Sequence, residues 1–384
     1  QSIDNSAYQS TITAADYVFG SNADRVIGTA VGSIGNSLLR WETVEDYNIG
    51  LDMAFLNNRL SVTAEWFRKQ SHDMLLKKDN MLILGYPMWN GQMWENIGEM
   101  EAKGWELSVN WNDKKGDFSY GVGVNLSSIR NKAIKLNGAP IYTQSFNGDY
   151  IIRNEEGHEI SQFYGYVADG LFQNQTEINA HTGEHGEILQ PNAQPGDIRF
   201  KDLNNDGVLD DKDKTYIGSA FPDLMVGINV NFSWKNIDFM ANFYGTIGND
   251  VYNTTKGRYS GAGGENVYAG AYNAAWHGEG TSYDIPRLSV NDANMNYKRV
   301  SSFFVEDGSY LRCKQLQIGY TFPKTWTKVC TLRISFSAQN PFTITKYSGM
   351  DPEAAATGAV TESGVDWAGY PNPRTYLFGL NINF

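Results

Sequence analysis

The chain has 384 residues, with 31 basic and 43 acidic side chains and a formal net charge of −12. No basic patch stands out, which argues against a nucleic-acid partner, and no run approaches the ~18 consecutive apolar residues of a transmembrane helix. The 39 glycines, 22 tyrosines and only 11 prolines point to an all-β protein with many turns.

The opening segment, QSIDNSAYQS, has neither the charged start nor the apolar run of a signal peptide, so the chain is expected to be soluble or a piece of something longer. Residues 1–42 read as an extracellular loop or a remnant of an upstream barrel. From residue 43 the pattern is alternation. Tyr47, Ile49, Leu51, Met53 and Phe55 interleave with Asn48, Gly50, Asp52 and Ala54. Side chains alternate across a strand, so one face is apolar and the other small or polar. The same pattern predicts nine strands, at about 43–55, 59–70, 96–111, 117–130, 222–234, 236–248, 308–323, 328–340 and 374–384. Strands of soluble proteins usually have about 5–6 residues, and tilted membrane strands need about 9–11. The length therefore favours an antiparallel transmembrane β-barrel portion over a sandwich.

The connections agree. Short ones are expected at LNN (56–58), NDKKG (112–116), Lys235 and PKTW (323–326), and long ones at 71–95, 131–221, 249–307 and 341–373. Strict alternation of short and long matches the periplasmic turns and extracellular loops of outer-membrane barrels. Phe55, Trp111, Trp234, Phe322, Trp326 and Phe384 all fall at the short-turn end, where an interfacial aromatic girdle belongs. Cys313 and Cys330 fall on neighbouring strands in poor register, about 26 Å apart along the strand. A disulfide needs Cα atoms within about 7 Å, so two free thiols are expected.

FKDLNNDGVLDDKDK (200–214) has the spacing of a calcium loop. Asp202, Asn204, Asp206, the Val208 carbonyl, Asp210 and Asp213 fall where an EF-type loop places its oxygens, and Gly207 sits at the sharp turn. The last ligand is Asp rather than the longer Glu, and the flanks DIRF and TYIG read as strands. The alternative is an Asn/Asp/Gly turn that satisfies its own backbone. His181 and His185 in HTGEH have the wrong order for the HExxH metalloprotease motif, and no nucleophile–base pair stands out, so no enzyme is expected. Two long loops gather aromatic residues: Tyr142, Phe146, Tyr150, Phe163, Tyr164 and Tyr166 in one, Tyr268, Tyr272, Trp276 and Tyr283 in the other. Such rings either contact a ligand or a lid or pack the loops internally.

LRWETVEDYNIGLDMAFLNNRLSVTAEWF (39–67), PGDIRFKDLNNDGVLDDKDKTYIGSAFPDLMVGINVNFSW (195–234), GSYLRCKQLQIGYTFP (308–323) and YPNPRTYLFGLNINF (370–384) resemble the SusC/RagA family of TonB-dependent outer-membrane transporters of Bacteroidetes-type bacteria. The resemblance covers nearly the whole chain and is to the C-terminal part of such a protein, with residues 43–384 as barrel. It implies a barrel of about 22 strands with a plugged lumen, most of which nine strands do not supply. It also implies import of an oligosaccharide or a peptide beneath a SusD-like surface lipoprotein, with energy from TonB, and Phe384 matches the terminal aromatic residue read during barrel assembly. A passive porin or adhesin on a similar barrel and a soluble carbohydrate-binding β-protein are the competing readings.

Overall fold

The computed structural model describes residues 7–19, 24–79, 92–136, 138–259, 266–353 and 360–384. The nine expected strands are Thr43–Phe55, Leu60–Asp79, Gln92–Lys115, Phe118–Lys135, Leu224–Trp234, Ile237–Ile247, Tyr310–Thr321, Thr331–Gln339 and Thr375–Asn383. They pair in chain order as one sheet, every neighbouring pair antiparallel. Within the described residues, the first and last of them each have one edge without a neighbouring strand.

Several boundaries differ from expectation. NDKKG is not the turn: Asn112 to Lys115 keep pairing with Gly121 to Phe118, and the turn is Gly116–Asp117. Polar residues at a strand end in water break no pairing, so polarity alone marked the turn too early. The connection read at 71–95 contracts for the same reason, and its centre, 80–91, lies outside the described residues. Lys235 is joined by Asn236 in a two-residue turn, with Lys235 at φ 52. PKTW gives way to a short helix, Lys324–Thr327. Residues Thr11–Phe19 and Asp24–Ser33 form a hairpin that is not part of the large sheet. Cys313 and Cys330 are free thiols.

The register makes the two faces explicit. One row runs Asn110, Gly123, Asn229, Asn242, Gln315, Gln339, and its next-but-one neighbour runs Gly121, Asn231, Met240, Gln317, Ser337. On the opposite face Phe232, Phe239, Ile318, Phe336 and Phe378 share a row. Phe378 touches Phe336 at 5.1 Å yet stays 83% exposed, an outward apolar ring that suits lipid. Gly121 and Gly123 are glycine because a Cβ at either would run into the Asn112 or Asn110 amide lying over it. Of the predicted girdle, Phe55, Trp234, Trp326 and Phe384 are exposed, and Phe322 packs on Trp326 at 6.2 Å.

One irregularity matters above the wall. The pairing of Ile237–Ile247 with Tyr310–Thr321 shifts between Asn242 and Phe243, leaving Lys314 unpaired as a bulge. The shift puts Arg312 opposite Tyr244 on the polar face, where it is 3% exposed. Its guanidinium donates to Asp351 and Glu353, each at 2.5 Å, and Nε donates to Thr343 at 2.8 Å. This knot ties the last long connection to the wall.

Above the wall the long connections fold together. Ile141–Phe146, Asp149–Asn154, Gln162–Tyr166 and Lys214–Ser219 form a four-stranded sheet. Val305–Asp307, Asp250–Asn253 and Val365–Asp366 form a three-stranded one. Between them lies an apolar core of Phe146, Ile151, Ile152, Phe163, Tyr252, Val300, Phe304 and Val365. Residues from three connections supply it, so this core forms only when all three come together, while the 131–221 connection also holds a small cluster of its own, Phe172, Ile178 and Ala193.

Candidate functional site

The outer loop body divides the aromatic residues singled out from the sequence. Phe146, Phe163 and Tyr166 are buried. Trp276 packs against Tyr166, Leu171, Ile198 and Phe200, with its indole N–H donating to Gln173 at 3.1 Å. These four fill the loop core and are not offered to a ligand. Tyr142 and Tyr150 stay 44% and 47% exposed, while Tyr268, Tyr272 and Tyr283 are exposed on the other connection, Tyr272 stacked on His277 at 5.3 Å.

Tyr142 and Tyr150 sit on the outer face of the four-stranded sheet. Their rings lie 6.0 Å apart at 40°. The Arg153 guanidinium bridges Tyr142 and Tyr164 at 5.9 and 4.5 Å. Tyr164 meets Tyr216 edge-on at 5.4 Å, and His158 stacks on Tyr216 at 4.3 Å. Arg153 and Tyr216 also reach Glu155, at 2.9 and 2.6 Å. The hydrogen bond from Tyr216, against the opposing effect of burial, holds the Glu155 carboxyl below its usual range. The sequence reading named the exposed tyrosines but missed Arg153, Glu155 and Tyr216, which lie up to 74 residues from Tyr142 and meet it only through strand pairing.

The 202–213 loop is wound tightly on itself. Asp202 accepts from the Gly207 N–H at 2.9 Å, and Asn204 from Asp206 N–H at 2.9 Å. Asp213, fully buried, accepts from Leu203 and Asp210, both at 2.9 Å. Gly207 has φ 82, the left-handed turn that position needs. The Lys212 ammonium lies 3.3 Å from Asp206 and 3.7 Å from Asp210. Hydrogen bonding from Asn204, ahead of Val208 and Lys212, lowers the Asp206 carboxyl. Asp202 Oδ1 is buried without a hydrogen-bond partner. Glu187 lies over the loop, where a Cβ on Gly207 would strike its Oε1; spacing within the loop gave no sign of this further carboxylate. Among the described residues, no group of three or more His, Cys, Asp or Glu side chains converges as a metal site. His181 and His185 are not a pair: His181 bonds the Phe200 carbonyl at 3.0 Å, and burial lowers its pKa, while His185 is exposed.

A family model for the β-barrel of TonB-dependent receptor-like proteins matches residues 5–200. TonB-dependent receptor P3 of Formosa agariphila is 33% identical over 374 residues, covering 94% of this chain and 36% of that protein. TonB-dependent receptor SusC of Bacteroides thetaiotaomicron is 28% identical over 383 residues, covering 96% of this chain and 34% of SusC. The chain thus spans about a third of the length of these curated relatives. Among solved structures, the RagAB peptide transporter matches with a TM-score of 0.77 at 22% identity, covering 100% of this chain and 39% of that one, a likeness of fold.

Proposed function

The chain belongs to the TonB-dependent receptor-like β-barrel family, whose barrels stand in the outer membrane, and we propose that it forms the C-terminal wall and outer loops of a TonB-driven nutrient importer. The observation that carries this is one sheet containing all nine long strands, with an amide-lined face, an apolar face left exposed among the described residues, short turns at one end and a folded loop body at the other. Unpaired strand edges are costly in lipid, so the remaining strands close the barrel at 43–55 and 375–383. A SusD-like lipoprotein covers the loop body, and TonB acts through regions outside this chain. The cargo is an oligosaccharide, a reading supported by the exposed tyrosine face; a peptide is the alternative cargo.

We also propose that calcium binds the 202–213 loop. The unpartnered Asp202 oxygen and the overlying Glu187 support it, and the ion takes over the position of the Lys212 ammonium between Asp206 and Asp210. Calcium prefers six to eight oxygens, which the loop carboxylates, Asn204 and the Val208 carbonyl supply on closing. The ion stiffens the loop body and takes no part in transport chemistry.

Native mass spectrometry of the full natural protein, purified from its own membrane in mild detergent, tests the importer. A co-purifying lipoprotein with a ladder of hexose or pentose masses is expected. A heterogeneous peptide envelope moves the cargo to peptides. A lone barrel with neither partner nor ligand overturns the lidded importer in favour of a porin or adhesin.

A further inference from the structure

We propose that the outer face of the four-stranded loop sheet is a stacking site for an uncharged glycan, with Tyr142 and Tyr150 as the ring platforms and Arg153 as the clamp that fixes them. The proposal rests on the importer reading and gives its cargo a place to bind.

The two faces of this sheet are chemically opposite. Phe146, Ile152 and Phe163 point into the loop core. The other face carries an unbroken chain of contacts, Tyr150 to Tyr142 to Arg153 to Tyr164 to Tyr216, across all four strands. Tyr142 and Tyr150 keep nearly half of their surface open to solvent.

The charge on this face selects the ligand. Arg153 is paired with Glu155 at 2.9 Å. Lys214 is paired with Asp149 at 2.6 Å and Asp211 at 3.0 Å. Both cations are held by carboxylates, so neither Arg153 nor Lys214 is free to draw an anionic ligand. What remains is aromatic surface with hydroxyls: Tyr142, Tyr150 and Tyr164 have no hydrogen-bond partner for their hydroxyls among the described residues. An apolar occupant covering those hydroxyls strips them of water without replacing the hydrogen bonds, which costs free energy. A pyranose meets both demands, since its C–H face lies on an aromatic ring and its hydroxyls exchange hydrogen bonds with the phenols. Below the rings, Arg153 Nε and Gln162 Oε1 are buried without partners, and Gln162 stands opposite Arg153 in register.

The pre-set geometry favours affinity. Arg153 is held between two rings and a carboxylate, so the platform needs little ordering when ligand arrives.

The test uses the full natural transporter in detergent and calorimetric titration with neutral hexasaccharides (malto-, cello-, manno- and xylohexaose), a hexagalacturonate and an octapeptide. At least one neutral hexasaccharide is expected to bind. Tyr142→Ala/Tyr150→Ala weakens it tenfold or more, and Tyr142→Phe/Tyr150→Phe, which keeps the rings, by threefold or less. Outer-membrane abundance of the Phe pair controls for folding. Failure of every neutral glycan to bind, or equal binding by the Ala pair and the wild type, overturns the site. So does an effect confined to the hexagalacturonate, the octapeptide or retention of the lipoprotein. Uptake of the bound glycan by cells separates the two ideas: TonB-dependent uptake unchanged in the Ala pair leaves the importer standing and removes this site, whereas no uptake despite binding at the face leaves the site and removes the importer.

Discussion

The wall and the loop body of this chain are stabilised in different ways. In the wall, hydrogen bonds run from strand to strand and side chains on both faces stay open: Phe378 is 83% exposed and Leu377, its neighbour on the other face, 49%. What covers these faces lies outside this chain's own contacts among the described residues. The loop body resembles a soluble domain, with Ile152, Phe163, Tyr252 and Phe304 each 0% exposed around one core. The contrast predicts where substitutions hurt. Within this chain's own contacts the loop body is sensitive to a single atom group, and the wall's apolar face is not.

The largest effect is expected at the join. Arg312→Ala leaves the buried Asp351 without its cation, while Lys314 still holds Glu353, and breaking a buried ion pair from one side costs about 3–5 kcal/mol. Limited proteolysis should cut the 341–373 connection in the variant while the barrel keeps its heat-modifiable migration. If 341–373 stays as resistant as in the wild type, the knot is not what holds it. Phe304→Ala comes next. Phe304 contacts Phe146 at 5.2 Å, Tyr252 at 5.2 Å and Phe303 at 5.0 Å, and truncating a buried Phe costs about 3–5 kcal/mol. Hydrogen exchange should accelerate in all three connections at once, since all three share that core. Phe378→Ala, on the open face, is the matched control and should leave the loop exchange rates unchanged. Acceleration confined to 249–307 would show that the connections fold separately.

The same contrast governs what could be read from the sequence. The wall obeys one rule, a period of two, and the rule is local; all nine strands were legible, and only their ends were misjudged where polar residues continued a strand into water. The bulge at Lys314 was invisible because nothing local marks it; the alternation of Leu316, Ile318 and Tyr320 simply stops, and Arg312 reads as an ordinary wall residue until pairing with Ile237–Ile247 is known. In the loop body the exposed tyrosines were named, yet so were Phe146, Tyr166 and Trp276, because composition does not say which side of a short strand is the core. Arg153 and Tyr216 went unnoticed since their significance lies in cross-strand neighbours rather than in spacing. The 202–213 motif was legible as spacing, and its contacts with Lys212 and Glu187 were not.

A moderate effect is expected at that motif. Calcium should protect 195–215 from protease, and a chelator should expose it, within otherwise resistant loops. Asp206→Ala should digest at the chelated rate in both conditions. Equal digestion of the wild type with calcium and with chelator rejects the ion and leaves a turn held by Lys212 and its own backbone.

The smallest effect concerns pH. Glu155 has a folded-state pKa below its ordinary value, chiefly through the Tyr216 hydrogen bond and then Arg153, with burial working the other way. A carboxyl lowered on folding contributes stability above its unfolded value, about 4.3, and loses it as pH falls through the lower folded value. The outer face of the four-stranded sheet should therefore hold its shape at neutral pH and loosen only on acidification below about pH 4. Hydrogen exchange at Tyr164 and Tyr216 should rise there, and Glu155→Gln, which keeps an acceptor but no titrating charge, should flatten that rise. Exchange in the wall strand Leu224–Trp234 should be the same in both proteins, because Glu155 touches only loop residues. An identical acid profile at Tyr164 and Tyr216 in Glu155→Gln and wild type would mean that the Arg153 stack holds the face together without its carboxylate, and that the face owes its order to ring contacts alone.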